Sequence, residues 1–128
     1  MKLLLDTHAL IWFLDDDPAL SATAKSAIEA PANHKFVSMA TCWEMSIKAS
    51  RKKLTLVEPV AVYLGRKLPA NGFDLLDISF AHATAVESLP MHHKDPFDRM
   101  LIVQARMEGM PIVSIDAAFD PYGIPRIW

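Results

Sequence analysis

One cysteine, Cys42, is all the chain contains, so no internal disulfide can form and a reducing compartment is the natural setting. No apolar run approaches the ~20 residues a membrane-spanning helix needs. The N-terminus opens like a signal peptide, but Asp6 and His8 interrupt its apolar run. A soluble, cytoplasmic protein with no membrane contact is therefore expected. Excess positive charge is missing too. The 13 Lys and Arg residues against 15 Asp and Glu leave a formal net charge of −2, so a nucleic-acid partner would have to rest on a local basic patch. The scattered histidines and lone thiol show no zinc-ligand spacing. Repeats, low-complexity tracts and linkers are also absent, and the 128 residues read as a single domain, 1–128. That length is enough to bury ~65–70% of the unfolded surface. With 52% hydrophobic residues, a real core is expected rather than disorder.

What is present alternates. Lys2–Leu5 reads as a buried strand ending at Asp6, and Ala9–Leu14 as a short helix opened by Thr7 or His8. After the acidic turn Asp15-Asp16-Asp17-Pro18, Ser21 begins a helix to Ala30, and Pro31-Ala32-Asn33-His34 breaks it. Phe36–Ser38 is a strand. The helix from Ala40 to Lys52 follows, with Met39, Trp43 and Ile47 predicted as its buried stripe. A further helix spans Pro59–Leu68, then comes a strand over Phe73–Ile78, and Ser79 caps a helix to Leu89. His82 in that helix reads as a surface or packed histidine, and Asp74 and Asp77 as structural acids. The last helix begins at Asp95 and stops at Gly109. Met110–Asp116 is a strand with Ser114 and Asp116 on one face, and Ile124–Trp128 is an edge strand. Strands alternating with helices predict a central, mostly parallel sheet of four to five strands covered on both faces.

The densest stretch is His92-His93-Lys94-Asp95-Pro96-Phe97-Asp98-Arg99. Asp95 is suited to an N-cap and Pro96 to the first helical position. Asp98 could serve the helix dipole or a capping box, but Ile102 and Ala105 follow it at i+4 and i+7. It therefore tops the apolar stripe, which favours a cleft over simple capping.

Right-handed crossovers bring the carboxyl ends of parallel strands to one edge. Asp6 and Asp116 end two strands; Glu44 and Asp98 lie in the first turns of helices leaving that edge. Read singly, each has a plain structural role: Asp6 as a helix cap, Glu44 as a surface salt bridge to Lys48 worth ~0.3–0.5 kcal/mol. Capping does not require four acids from remote segments to converge. Clustered carboxylates cannot all stay ionised unaided. A hard divalent cation with oxygen-only ligands, Mg²⁺ or else Mn²⁺, resolves the repulsion and suits phosphodiester hydrolysis.

Leu-Leu-Asp6-Thr-His, the isolated Glu44, His93-Lys-Asp-Pro-Phe-Asp98-Arg-Met-Leu-Ile-Val-Gln-Ala and Ser114-Ile-Asp116 together resemble the PIN-domain toxins of the VapC type. The likeness runs through almost the whole chain to Tyr122-Gly123 and Ile127-Trp128. It implies a PIN-like three-layer α/β/α fold. It further implies an Mg²⁺-dependent endoribonuclease, the toxin of a type II toxin–antitoxin system, using metal-activated water on RNA. By that resemblance Asp6 and Asp98 are metal ligands, Glu44 and Asp116 complete the catalytic acids, Ser114 is a neighbouring hydroxyl, and the partners are a cognate antitoxin and a second copy in a homodimer. Lys48, Arg51, Lys52, Lys53, His92, Lys94 and Arg99 are candidate phosphate contacts. The competing expectation is a non-catalytic α/β interaction module in which the acids are only helix caps.

Overall fold

Leu3, Leu4 and Leu5 of β1 (Lys2–Leu5) are each fully buried, which only a strand covered on both faces permits. Leu3 and Leu5 point into one core with Leu10, Ile28, Met45 and Tyr63, whereas Leu4 points into the other with Leu101, Ile112 and Phe119. The computed structural model describes residues 1–128. After β1 come α1 (Thr7–Leu14), α2 (Ala22–Glu29), β2 (His34–Ser38), α3 (Met39–Ser50), α4 (Val60–Ala70), β3 (Phe73–Leu76), α5 (Phe80–Ala85), α6 (Pro96–Glu108), β4 (Ile112–Val113) and β5 (Arg126–Ile127). The sheet order is β3-β2-β1-β4-β5, and every pairing is parallel. Successive crossovers run outward from β1 through β2 to β3, then return to the other side of β1 for β4. The switch point, where open α/β sheets leave a crevice, thus lies between the ends of β1 and β4. No helix is long and apolar enough to cross a membrane.

Local chemistry sets the boundaries. Asp95 caps α6, its Oδ1 accepting from the Asp98 amide at 2.9 Å, and Pro96 occupies the first turn. Gly109 ends the helix at φ +64°, a left-handed position that a side chain would strain. Ser79 and His82 form a reciprocal cap on α5, and His82 is packed, with its Nε2 3.1 Å from Glu108.

Several expected elements are shorter than their sequence runs suggest. β3 stops at Leu76 and β4 holds only two residues, so Ser114 and Asp116 are not strand neighbours; Asp116 instead caps a 3₁₀ turn over Ala117–Tyr122. The predicted stripe on α3 is also corrected. Trp43 is 62% exposed and Met39 38%, while Ala40, Thr41, Glu44 and Met45 are buried. Periodicity marks apolar side chains, but here the covered face is partly polar because Thr7 arrives to satisfy Thr41 and Glu44.

Candidate active site

Asp6 lies one residue beyond β1, its amide donating to Val113 O at 3.1 Å, so the parallel ladder holds it beside the end of β4. Its Oδ1 accepts from the Ala9 amide at 2.8 Å and caps α1. The buried Ser114 hydroxyl, which accepts from the Asp116 amide at 3.0 Å, lies beside this carboxylate and favours its charged form. Burial is the main force pushing the Asp6 carboxyl above its ordinary value, and nearby Asp116 adds to it; the Ser114 and Ala9 donors and His8 oppose the rise.

Glu44 is also buried, and both its oxygens are engaged. The Thr7 hydroxyl donates to Oε1 at 2.6 Å, and Lys48 Nζ lies 2.7 Å from Oε2. With its proton committed to the carboxylate, the Thr7 oxygen accepts from Thr41, 3.1 Å away. The expected i,i+4 pair with Lys48 is therefore present, but it belongs to an interior network rather than to the surface.

Asp98 projects from the first turn of α6. Its carboxyl is pushed up to about 7, first by burial and then by the negative charge of Asp95, with Asp6 and Glu44 adding to the effect and His93 opposing it. The charges of Asp6 and Glu44 thus reach Asp98. Asp116 joins from the far side: its Oδ1 accepts from the Ala118 amide at 2.9 Å, and its Oδ2 is 3.5 Å from His93 Nε2.

His93 was not among the residues assigned to the site from sequence. Its Nε2 is 3.1 Å from Asp98 Oδ2, and these atoms with an oxygen of Asp116 fall within 4.8 Å of one another. Nδ1 accepts from the Asp95 amide at 3.2 Å, which puts the proton of a neutral ring on Nε2. That nitrogen is then a donor aimed at two carboxylates rather than a free metal ligand. It is buried and finds no well-aligned acceptor. Only Asp98 and Asp116, with His93, bring ligand atoms within 4.8 Å of one another; Asp6 and Glu44 reach Asp98 through their charge but lie outside that group. The oxygen donors of Asp98 and Asp116, in a half-buried setting that disfavours the charge on Asp98, are of the kind that suits Mg²⁺ or Mn²⁺.

The loop carrying His93 is pinned from below. Tyr122 Oη accepts from the amides of His92 and His93 at 2.9 and 2.8 Å and donates to Pro90 O at 2.7 Å. Arg99, expected to contact phosphate, is buried, and its guanidinium donates to the carbonyls of Pro90, His93, Val86 and Leu89. It is a loop anchor, because α6 turns it inward against the preceding segment. Gln104, fully buried, accepts from Ser38 Oγ at 2.5 Å and donates to Asp77 O at 3.2 Å. A lone amide within Leu101-Ile102-Val103-Gln104-Ala105 was its sequence signal.

A wholly parallel sheet, with Asp6 at its switch point and the Asp98–Asp116–His93 group nearby, defines an α/β protein with an acidic cleft. The chain belongs to the PIN-domain family, whose pattern matches residues 3–124. It is 27% identical over 124 residues to ribonuclease VapC22 of Mycobacterium tuberculosis, covering 96% of this chain and 93% of that protein. Among solved structures, it resembles VapBC2 from Rickettsia felis bound to a promoter DNA fragment, with a TM-score of 0.71, 15% identity, and 98% and 97% of the two chains covered. VapBC-1 from nontypeable Haemophilus influenzae matches with a TM-score of 0.66, 11% identity, and 98% and 96% covered. These two structural likenesses show the shared PIN-like fold.

Proposed function

We propose that the chain is a divalent-metal-dependent endoribonuclease, the toxin of a type II toxin–antitoxin pair, with Asp6, Glu44, Asp98 and Asp116 as its catalytic acids. The observation that carries this reading is Asp98, half-buried at the head of α6 and raised to about 7 among other acids. Asp98 caps no helix and makes no ion pair with a lysine or arginine, so the interaction-module alternative leaves it unexplained, although Asp6, Asp95 and Asp116 do cap and Glu44 is held by Thr7 and Lys48. The VapC22 relative's description as a ribonuclease supports the same class of activity.

Asp6 and Asp98 hold the cation, Mg²⁺ or Mn²⁺, and Asp116 supports them. When bound, the cation supplies Lewis acidity toward a phosphoryl oxygen and makes nearby water more acidic. Glu44 orients the attacking water; Thr7 and Lys48, bonded to its two oxygens, fix its rotamer for that role. Ser114 steadies Asp6, and the Nε2–H of His93, between the carboxylates of Asp98 and Asp116, positions both. In-line attack on phosphorus with loss of the 3′-oxygen leaves a 5′-phosphate and a 3′-hydroxyl. The 2′-hydroxyl takes no part, so preference for RNA comes from shape and unpaired bases. Arg51, Lys52 and Lys53 at the end of α3, with His92 and Lys94, serve the phosphate backbone; Lys48 is committed to Glu44. A homodimer and a cognate antitoxin are the proposed protein partners, and the cytoplasm the proposed location.

The test compares cleavage of a structured RNA by wild type and Asp98→Asn, with Mg²⁺ and with EDTA. Cleavage by wild type with Mg²⁺ alone is expected. Equal cleavage by the variant, or by wild type in EDTA, overturns the assignment.

A further inference from the structure

Arg126 stands on the edge strand β5, paired with Ile112 of β4, and its guanidinium makes four bonds. Nε and Nη2 fork onto the two oxygens of Asp120 at 2.9 and 3.2 Å. Nη1 donates to the carbonyls of Ser114 and Ile115 at 3.3 and 3.4 Å. One side chain therefore ties both ends of the segment that carries Asp116. From that segment the contacts run on to Asp98. Asp116 gives Oδ1 to the Ala118 amide and presents Oδ2 to His93 Nε2, 3.5 Å away. Phe119, fully buried in the same 3₁₀ turn, packs against the His93 ring with centroids 5.8 Å apart, and Tyr122 holds the amides of His92 and His93. His93 Nε2 is in turn 3.1 Å from Asp98 Oδ2.

We propose that Arg126 is a positioning residue for the cation site, clasping the Ser114–Asp120 segment so that Asp116 and His93 meet Asp98 at a fixed separation. This rests on the metal-dependent nuclease reading above and names what holds Asp116 in its place. The competing role is a pair that only stabilises the fold. Asp120 is half-exposed, and an ion pair to such a carboxylate adds little stability. Direction is what the turn lacks. β4 holds only two residues before the chain leaves the sheet, and a short 3₁₀ turn is too weakly bonded to keep its own orientation. A planar guanidinium, bidentate on one end of the segment and bonded to two carbonyls at the other, supplies that direction, which a lysine ammonium cannot. The charge of Asp116 also acts on the guanidinium, so the clasp lies near the acid without occupying either of its oxygens.

The experiment compares wild type with Arg126→Gln, Arg126→Lys and Asp120→Asn, each shown by thermal melting to be folded at the temperature used. Calorimetry gives the Mn²⁺ affinity of the metal-free proteins, NMR the amide exchange at Ala118 and His93, and kinetics with Mg²⁺ the kcat and KM on a structured RNA. Arg126→Gln is expected to bind Mn²⁺ about 10-fold more weakly and to lose about as much in kcat, with KM little changed. Exchange at Ala118, whose amide meets Asp116 Oδ1, should quicken in the metal-free variant. Arg126→Lys, which keeps the charge and loses the fork, should fall between the two. Asp120→Asn keeps the carbonyl bonds and should show a smaller loss in the same quantities. Wild-type Mn²⁺ affinity and kcat in a folded Arg126→Gln overturn the proposal even if its Tm is lowered, as do the same values in Asp120→Asn where Arg126→Gln does not fold. A wild type that binds Mn²⁺ without cleaving RNA, and binds it more weakly once Arg126 is replaced, supports the clasp and overturns the nuclease reading.

Discussion

Replacing Asp98 by Asn should make the metal-free protein more stable, and only above neutral pH does the gain become full. In the fold the Asp98 carboxyl titrates at about 7, against an ordinary value of 3.8. Between those values the folded state binds a proton that the unfolded chain has released, so stability falls as pH rises. At ~1.36 kcal/mol per pH unit, the difference of about three units bounds the penalty at ~4 kcal/mol. The side chain keeps 24% of its surface in contact with solvent, and its place in the first turn of a helix returns about 0.5 kcal/mol to the charged form. A net gain of ~2 kcal/mol for Asp98→Asn is therefore expected at pH 8 in EDTA. For a domain of this size that raises Tm by roughly 6–8 °C. Below pH 4 both states carry the proton, and the two proteins should melt together. Adding Mg²⁺ at pH 8 should raise the wild-type Tm in proportion to the logarithm of its concentration and leave the variant nearly unmoved. Thermal melts across pH and Mg²⁺ test this directly. An Asp98→Asn protein no more stable than wild type at pH 8 in EDTA would refute the claim that the acids converge at uncompensated cost.

Ser114→Ala removes a donor that restrains the rise of the Asp6 carboxyl, so the onset of Mg²⁺-dependent cleavage should move to higher pH, as a pH–rate profile would show. Tyr122→Phe strips the acceptor from two amides and the donor from Pro90 O; a loss of ~1–3 kcal/mol in urea denaturation is expected, with faster amide exchange at His92 and His93. Gly109→Ala, at φ +64°, should cost ~1 kcal/mol by the same denaturation assay and leave cleavage unchanged, because the strain lies at the far end of α6 from the acids.

The helix starts and the sheet class were legible because each rests on local chemistry. Asp95-Pro96 reads as a cap from two residues, and strand–helix alternation gives a parallel sheet without knowledge of any contact. The buried face of α3 was not legible, because its burial depends on Thr7, more than 30 residues away, supplying a hydroxyl to Glu44 and Thr41. Arg99 failed for a related reason. A cation beside an acid suggests phosphate, and only the path of the Val86–His93 segment shows four carbonyls waiting for its guanidinium. His93 could have been separated from His92 by its spacing to Asp95, since a histidine two residues before a cap can accept that residue's amide and so fix its own tautomer.

The opposition between cap and active-site acid, which frames any reading of this sequence, dissolves at the level of individual oxygens. Asp6 and Asp116 each give Oδ1 to the first free amides of the turn they begin. Such a bond removes the side chain's rotational freedom, and the second oxygen is then aimed by the backbone rather than by packing. For Asp98 the backbone does the aiming differently: Asp95 takes the capping bond, so Asp98 is released from it and bears its burial and then the repulsion of its neighbours. A cluster assembled in this way is rigid before any ligand arrives, which is what a preorganised cation site needs. Its cost is a metal-free fold strained at neutral pH, and that strain is the affinity a divalent ion would recover.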